Sequence, residues 1–152
     1  MKKIGEYTCR GQTNETESTS GDPKRIVLFD GRFDTGYKIT AFYAWSSDFS
    51  GGGEPDTIAK LATSTGTATA ASSFMDASDQ REIAWAGTSG GAENWAAQEA
   101  IIDRDNLVVE DLYVYARAAA TDVQINYLIE MDKYDISEWQ GALTMARDAA
   151  QS

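Results

Sequence analysis

The tripeptide Asp34-Thr35-Gly36 is the segment of this chain that comes closest to a known catalytic motif. Retroviral-type aspartic proteases carry such a loop and dimerise, so that two paired carboxylates share one proton. However, Tyr37 follows the motif where that family has a small residue, and the family's second signature, two aliphatic residues before a glycine, is missing. Asp and Gly also form ordinary turns, in which Asp accepts backbone hydrogen bonds and Gly supplies a positive φ. The sequence therefore favours a turn, with an aspartic protease as the enzymatic alternative.

Composition excludes much of the remaining catalytic chemistry. The 152 residues include no histidine and a single cysteine, Cys9. Histidine-based Ser or Cys triads, histidine-ligated zinc and thiolate zinc cages are therefore excluded. The glycines of 51–53 lack the Lys-Ser/Thr pair that completes a phosphate-binding loop. Cys9 can form no disulfide within the chain, and we expect it to be a small buried residue or a free thiol. These exclusions leave the aspartic protease as the enzymatic alternative, and we predict that the protein needs no cofactor.

Acidic oxygens and aromatic rings leave two kinds of binding site open. Asp103 and Asp105 could contribute oxygen ligands to a calcium ion, but the EF-hand ladder is absent and a turn explains these residues equally well. We therefore predict no metal site, and Asp103 and Asp105 are the candidates should a cation bind. The 4 Trp and 7 Tyr residues offer stacking faces for sugars. A carbohydrate-binding β-sandwich, with or without structural calcium, is therefore a second hypothesis.

The charge balance limits the possible partners. The chain has 24 acidic and 13 basic residues, which gives a net charge of −11. Phosphate backbones and anionic membrane surfaces repel such a chain, so we predict neither a nucleic acid nor a membrane as partner. The residues after Met1-Lys2-Lys3 do not form the apolar core of a signal peptide, which predicts that the chain carries no export signal of this type.

The hydrophobic pattern indicates an antiparallel β protein. In the run that ends at Asp135, every odd position from 123 to 131 is apolar, and the even positions are polar except Leu128. This period of two is typical of a strand with one buried face. Runs rich in β-branched and aromatic residues at Lys24–Phe29, Tyr37–Trp45 and Gln80–Ala86 predict further strands, while Thr57–Ala62 fits a strand or a short helix. With seven or eight strands in all, we predict an antiparallel β-sandwich or jelly roll.

Three regions follow from this pattern. Residues 1–23 are predicted to be a polar N-terminal arm, 24–136 the β-sandwich domain, and 137–152 a short C-terminal helix and tail. Ser137 and Gln140 fit a capping box at the start of that helix. Its apolar residues recur at spacings of three and four, and this stripe needs a surface to lie on, either the domain's own sheet or a neighbouring subunit. The stripe consists of Trp139, Ala142, Leu143, Ala146, Ala149 and Ala150.

Two segments carry a family resemblance. Lys24–Trp45 and Asp103–Gln151 resemble small virion proteins of marine tailed bacteriophages. The most distinctive part is the pattern Tyr-Leu-Ile-Glu-Met-x-Lys-Tyr-Asp-Ile, a strand that runs into a helix containing tryptophan. The resemblance covers roughly half of the chain, at its two ends, and does not extend over 46–102. It implies a capsid-associated, decoration-type β-sandwich without catalysis.

The resemblance also sets what we expect of partners and location. We expect a capsid decoration or cement protein, made in the host cytoplasm and located in the virion, that binds the major capsid protein and further copies of itself in a symmetric assembly. The acidic arm is compatible with a position outside the shell, because shell proteins that touch the genome usually carry a basic arm. We expect the terminal segments to make the contacts, through Trp139, Leu143 and Ala146 of the helix and through Tyr7 and Cys9 of the arm.

Overall fold

The computed structural model describes residues 1–14, 22–47, 57–65, 75–88, 99–118 and 124–150. Outside these ranges lie residues 15–21 of the predicted arm, the glycines of 51–53, and Trp95, one of the four tryptophans considered for sugar stacking. In chain order the described elements are β1 (Lys2–Gln12), β2 (Lys24–Ile26), β3 (Thr35–Ser46), β4 (Thr57–Ala62), β5 (Glu82–Thr88), β6 (Glu99–Ile102), β7 (Leu112–Ala118), β8 (Ile125–Asp135) and the helix α1 (Glu138–Ala150).

The strands form two antiparallel sheets that enclose one main core. A three-stranded sheet has the order β1-β8-β3, and a five-stranded sheet has the order β2-β7-β4-β5-β6. Residues from both sheets contribute to the same buried cluster, among them Phe42 of β3, Leu61 of β4 and Ile129 of β8. The prediction of a mainly β protein with a short C-terminal helix is confirmed, and the two packed sheets form a sandwich-like arrangement.

The alternation in β8 places its odd residues in the core, as the sequence predicts. Ile125, Tyr127, Ile129 and Met131 are buried, while the even residues between them are at least partly exposed. Leu128, the exception in the pattern, lies opposite Tyr43 of β3 on the outer face. Because β8 is the middle strand, it pairs along most of its length with both β1 and β3.

Strand β3 uses a bulge to keep its apolar residues inside. Its register with β8 shifts between Ile39 and Ala41. A bulge inserts an extra residue and so changes which positions face the core. Ile39 before the bulge, together with Phe42 and Ala44 after it, is therefore buried, although this spacing departs from a strict period of two.

The structure changes the predicted role of the N-terminal segment. The first part of the predicted arm is a strand, because Lys2–Gln12 pairs with β8 along the sheet. The alternation of Tyr7 and Cys9 with polar residues was available in the sequence as a strand signal. That signal is weak because the other two core-facing positions of the strand are Gly5 and Gly11, which contribute no side chain.

Three local predictions are refined. Thr57–Ala62 is a strand, and the strand predicted at Lys24–Phe29 ends at Ile26. The segment Asp34-Thr35-Gly36 leads into β3, and Gly36 does not supply a positive φ; in the described chain Gly31 does. Gly36 is instead closely packed, since a Cβ there would approach Leu107 Cδ1 to 2.6 Å and the leucine side chain would have to shift.

Helix α1 begins as predicted and covers a second, smaller core. The Gln140 N–H donates to the Ser137 hydroxyl oxygen at 3.2 Å, which is the expected N-cap bond. Met145 packs with Phe33 on a cluster that includes Leu107 and Ile136. Within the described ranges, no helix has the length and apolar character needed to cross a membrane.

Candidate functional site

The apolar stripe of α1 faces away from the domain. Trp139 is 75% exposed and Leu143 is 55% exposed. The alanines of the stripe, Ala142, Ala146, Ala149 and Ala150, are exposed as well. Of the two surfaces that the sequence offered for this stripe, the domain's own sheet is therefore not the one that it contacts.

The opposite face of α1 explains this orientation. Gly141 is buried, and a Cβ at this position would collide with the backbone carbonyl of Phe33. Half-buried Thr144 and Met145 complete the inner face. The helix thus approaches the domain at its glycine, and Trp139 and Leu143 remain on the outside.

The second pair of predicted contact residues lies on β1. Tyr7 is 47% exposed and its ring centroid lies 6.5 Å from that of Tyr37. Cys9 is half-buried against the main core, and burial raises the pKa of its thiol, while the charge of Lys24 acts in the opposite direction. The contact residues predicted on the arm and on the helix therefore lie on two separate elements, β1 and α1, and form two candidate surfaces.

The outer face of the three-stranded sheet carries both charges and rings. Towards one end, Lys3 Nζ bonds to Glu6 at 3.0 Å and to Asp132 at 3.1 Å, and these hydrogen bonds raise the pKa of Lys3. A groove of about 360 Å³ beside them is lined by residues of β1, β3 and β8, including Glu130. Towards the other end, exposed Tyr43 and half-buried Trp45 occupy alternate positions of β3.

The acidic turn that was considered for calcium is organised by its own backbone. The Asp105 N–H donates to Asp103 Oδ1 at 3.1 Å, as in a turn stabilised by an aspartate side chain. Among the described residues, no three or more Asp, Glu, Cys or His side chains cluster in a way that could hold a metal ion.

Sequence reasoning overlooked a buried ion pair on the outer face of the five-stranded sheet. Lys60 Nζ lies 3.2 Å from Glu82 Oε2 with both side chains fully buried, and 5.3 Å from the ring centroid of Tyr115. Glu82 Oε1 accepts hydrogen bonds from Trp85 Nε1 and from the Asp76 N–H, each at 3.1 Å. This network is buried and gives each oxygen of the carboxylate a partner, which is typical of a structural role.

The signal for this pair was present in the sequence. Lys60 and Glu82 each stand within a short apolar strand, in TIAKLA and REIAWA. A charge inside such a run is solvated if that face of the strand is open, and needs a partner if the face is covered. The pattern within one strand does not show which of the two applies.

The carboxylate of the candidate protease motif has a local partner. Asp34 Oδ2 lies 2.7 Å from Arg32 Nη2, and the Asp34 carbonyl accepts the Ile136 N–H at 2.8 Å. An aspartic protease requires two carboxylates that share a proton. The pairing with an arginine is a different arrangement, and the backbone hydrogen bond links the entrance of β3 to the residue that follows β8.

Comparison of the chain with family models, curated proteins and solved structures finds no match.

Proposed function

We propose that this protein is a non-enzymatic structural component of a virion, of the capsid decoration or cement type, that acts through protein–protein contacts. The observation that carries the proposal is the outward orientation of the α1 stripe, with Trp139 and Leu143 in solvent. Clustered exposed apolar side chains mark interaction sites on soluble proteins. Trp is also the residue type most enriched at the energetic centres of interfaces.

The strand order supports a jelly roll as the fold of this component. In a jelly roll, a long antiparallel ribbon is wrapped so that the first strand pairs with the eighth, the second with the seventh and the fourth with the fifth. All three pairings occur here. The sixth strand, which would pair with the third, pairs with β5 instead. Jelly rolls are common in viral capsid proteins and also in lectins, so the fold alone does not distinguish the two functions.

The charge distribution supports a position away from the genome. The net charge of −11 repels nucleic acid. Acidic groups on the outer face of the three-stranded sheet, Glu6, Glu130 and Asp132, add to this repulsion. The major capsid protein is therefore the proposed partner of the α1 stripe, on the outside of the shell.

Purified particles test this proposal. Mass spectrometry of gradient-purified virions of the encoding phage should detect peptides of this chain at a constant ratio to the major capsid protein. The chain should also rebind to particles from which it has been stripped. Trp139→Ser combined with Leu143→Ser should lower rebinding at least tenfold, because the contact loses its large apolar side chains.

The matched control is Glu138→Gln, which changes an exposed polar residue of the same helix and should leave rebinding unchanged. Absence of the chain from the particles would overturn the proposal. So would full rebinding by the doubly substituted helix.

A carbohydrate-binding module is the second candidate, and the ring pair on β3 favours it. Tyr43 and Trp45 share the outer face with Gln12 and Asn126, whose side-chain amides are hydrogen-bonded to each other at 3.0 Å. Aromatic rings beside amides supply the stacking and hydrogen bonding that sugars require.

A glycan array separates the two candidates. The carbohydrate proposal expects binding that is lost in Tyr43→Ala and retained in Trp139→Ser, with and without a chelator. If the wild-type protein binds no glycan on the array, the carbohydrate candidate is eliminated and the virion proposal is unaffected.

A further inference from the structure

Strand β1 presents an open hydrogen-bonding edge. It is 11 residues long, and in the three-stranded sheet it is the outer strand, paired with β8 on one side. No strand of the described residues pairs with its other side. Natural proteins usually protect such edges with prolines, bulges or short strands. Here the one register shift falls between Lys3 and Gly5, which leaves the edge regular from Gly5 to Gln12.

The phase of the hydrogen bonds identifies the groups that point outward. The Thr13 N–H donates to the Ile125 carbonyl at 2.9 Å. Bonded and non-bonded positions alternate along an antiparallel pair, so the odd residues of β1 bond to β8 and the even ones face away. The Gln12 carbonyl fits this alternation: it points away from β8 and accepts a hydrogen bond from Lys24 of the other sheet at 2.9 Å.

The outward backbone groups therefore belong to Glu6, Thr8 and Arg10. The side chains of these residues are exposed. The order of charges along the edge is acidic, neutral and basic. A strand with this order is complementary to its own copy in the antiparallel direction.

We propose that β1 pairs with β1 of a second copy of this chain, antiparallel and with the two-fold axis at Thr8. Thr8 then faces Thr8 of the second copy, and Glu6 faces Arg10 in both directions. The three opposed pairs exchange about six main-chain hydrogen bonds. The result is a continuous sheet of the order β3-β8-β1-β1-β8-β3.

The charges select this register from the others that the hydrogen bonds allow. A two-fold axis at Glu6 would place Glu6 opposite itself, and an axis at Arg10 would place two arginines together. Like charges directly opposite each other destabilise a strand pair, whereas opposite charges stabilise it. With the axis at Thr8, both charged positions meet their opposites.

The core-facing side chains at the proposed contact between the two β1 strands are complementary as well. In the same register, Tyr7 lies opposite Cys9 of the second copy. Tyr7 is partly exposed and Cys9 is half-buried, so pairing removes apolar surface from water on the core side while the ion pairs form on the outer side. The contact is isologous, and it therefore closes after two copies.

The pairing deepens the proposed function by adding a contact between copies to the contact with the capsid, and it rests on that function for this role alone. The test uses the purified chain alone, so its result is independent of particle binding. Sedimentation equilibrium of the wild-type protein should show a reversible dimer. Thr8→Pro should shift the dissociation constant at least tenfold towards monomer, because it removes an outward N–H that bonds to nothing within the sheet.

Thr8→Val is the matched control, since it retains the N–H and a β-branched side chain and should still form the dimer. A charge exchange tests the register itself. Glu6→Arg and Arg10→Glu should each be monomeric when alone, and an equimolar mixture of the two should form a heterodimer, because opposite charges then face each other at every charged pair.

The heterodimer also keeps the test decisive if Thr8→Pro fails to fold. Circular dichroism of each variant identifies that case. A wild-type chain that remains monomeric at high concentration overturns the inference. A dimer that persists in folded Thr8→Pro, or two charge variants that do not associate when mixed, overturns it equally.

Discussion

The outer face of the five-stranded sheet buries charged side chains, whereas the outer face of α1 exposes apolar ones. On the sheet, Lys60 and Glu82 are completely buried as an ion pair. On the helix, Trp139 and Leu143 are exposed. In each region the burial of the side chains is the reverse of what their polarity alone would predict. A face is buried when another segment of the chain covers it. The apolar face of α1 is not covered, and it is therefore the face that is available to a partner.

Breaking the buried pair should have the largest effect on stability. Lys60→Met leaves the Glu82 carboxylate buried without its cation, and we expect a loss of about 3–5 kcal/mol in the free energy of unfolding. Urea denaturation followed by tryptophan fluorescence measures this loss. A loss below about 1 kcal/mol would mean that water reaches the carboxylate, and the contrast between the two regions would disappear.

A second substitution in the same background provides the control. Glu82→Gln added to Lys60→Met removes the unpaired charge and retains Oε1 as an acceptor for Trp85 and the Asp76 N–H. We expect it to recover more than half of the lost stability, since replacing both charges costs less than removing one.

Overpacking the inner face of α1 should have the next largest effect. Gly141→Ala places a Cβ against the Phe33 carbonyl, and we expect a loss of about 1–3 kcal/mol measured by thermal unfolding. Ala142→Gly on the outer face is the matched control and should cost about 0.5–1 kcal/mol through helix propensity. If Gly141→Ala is instead stabilising, as propensity alone would predict, the helix does not lie against Phe33.

Substitution on the exposed stripe should have the smallest effect on folding. Trp139→Ser should change the free energy of unfolding by no more than about 0.5 kcal/mol, because the side chain makes little contact within the domain. Ile136→Ala, three residues earlier and buried, should cost about 2–5 kcal/mol. Comparable losses in the two variants, measured by urea denaturation, would show that the stripe packs within the molecule after all.

The sequence predicted those parts of the fold that depend on local patterning. The period of two in β8, the strand at β3 and the N-cap at Ser137 were all readable, because each is set by neighbouring residues along the chain. Strand β1 was assigned to an arm, since its inner row holds Gly5 and Gly11 where apolar side chains would have strengthened the pattern.

The candidate contact residues were only partly predictable. Trp139, Leu143 and Ala146 form a stripe in any helix built from this segment, so their shared face follows from helical geometry. Their exposure does not follow, because it depends on the fit of Gly141 against Phe33, a residue about a hundred positions earlier in the chain. Likewise, Glu6, Thr8 and Arg10 become an edge only because β8 occupies one side of β1.

By itself, the sequence determined the antiparallel β class, the position of the helix start, the acidic charge and the absence of histidine chemistry, all of which depend on composition or on spacing within one element. Only the tertiary structure decided which charges are enclosed, which apolar stripe is left in solvent and which strand edge is open. These outcomes depend on segments that are distant in sequence covering one another, and such contacts leave no signature within any single element.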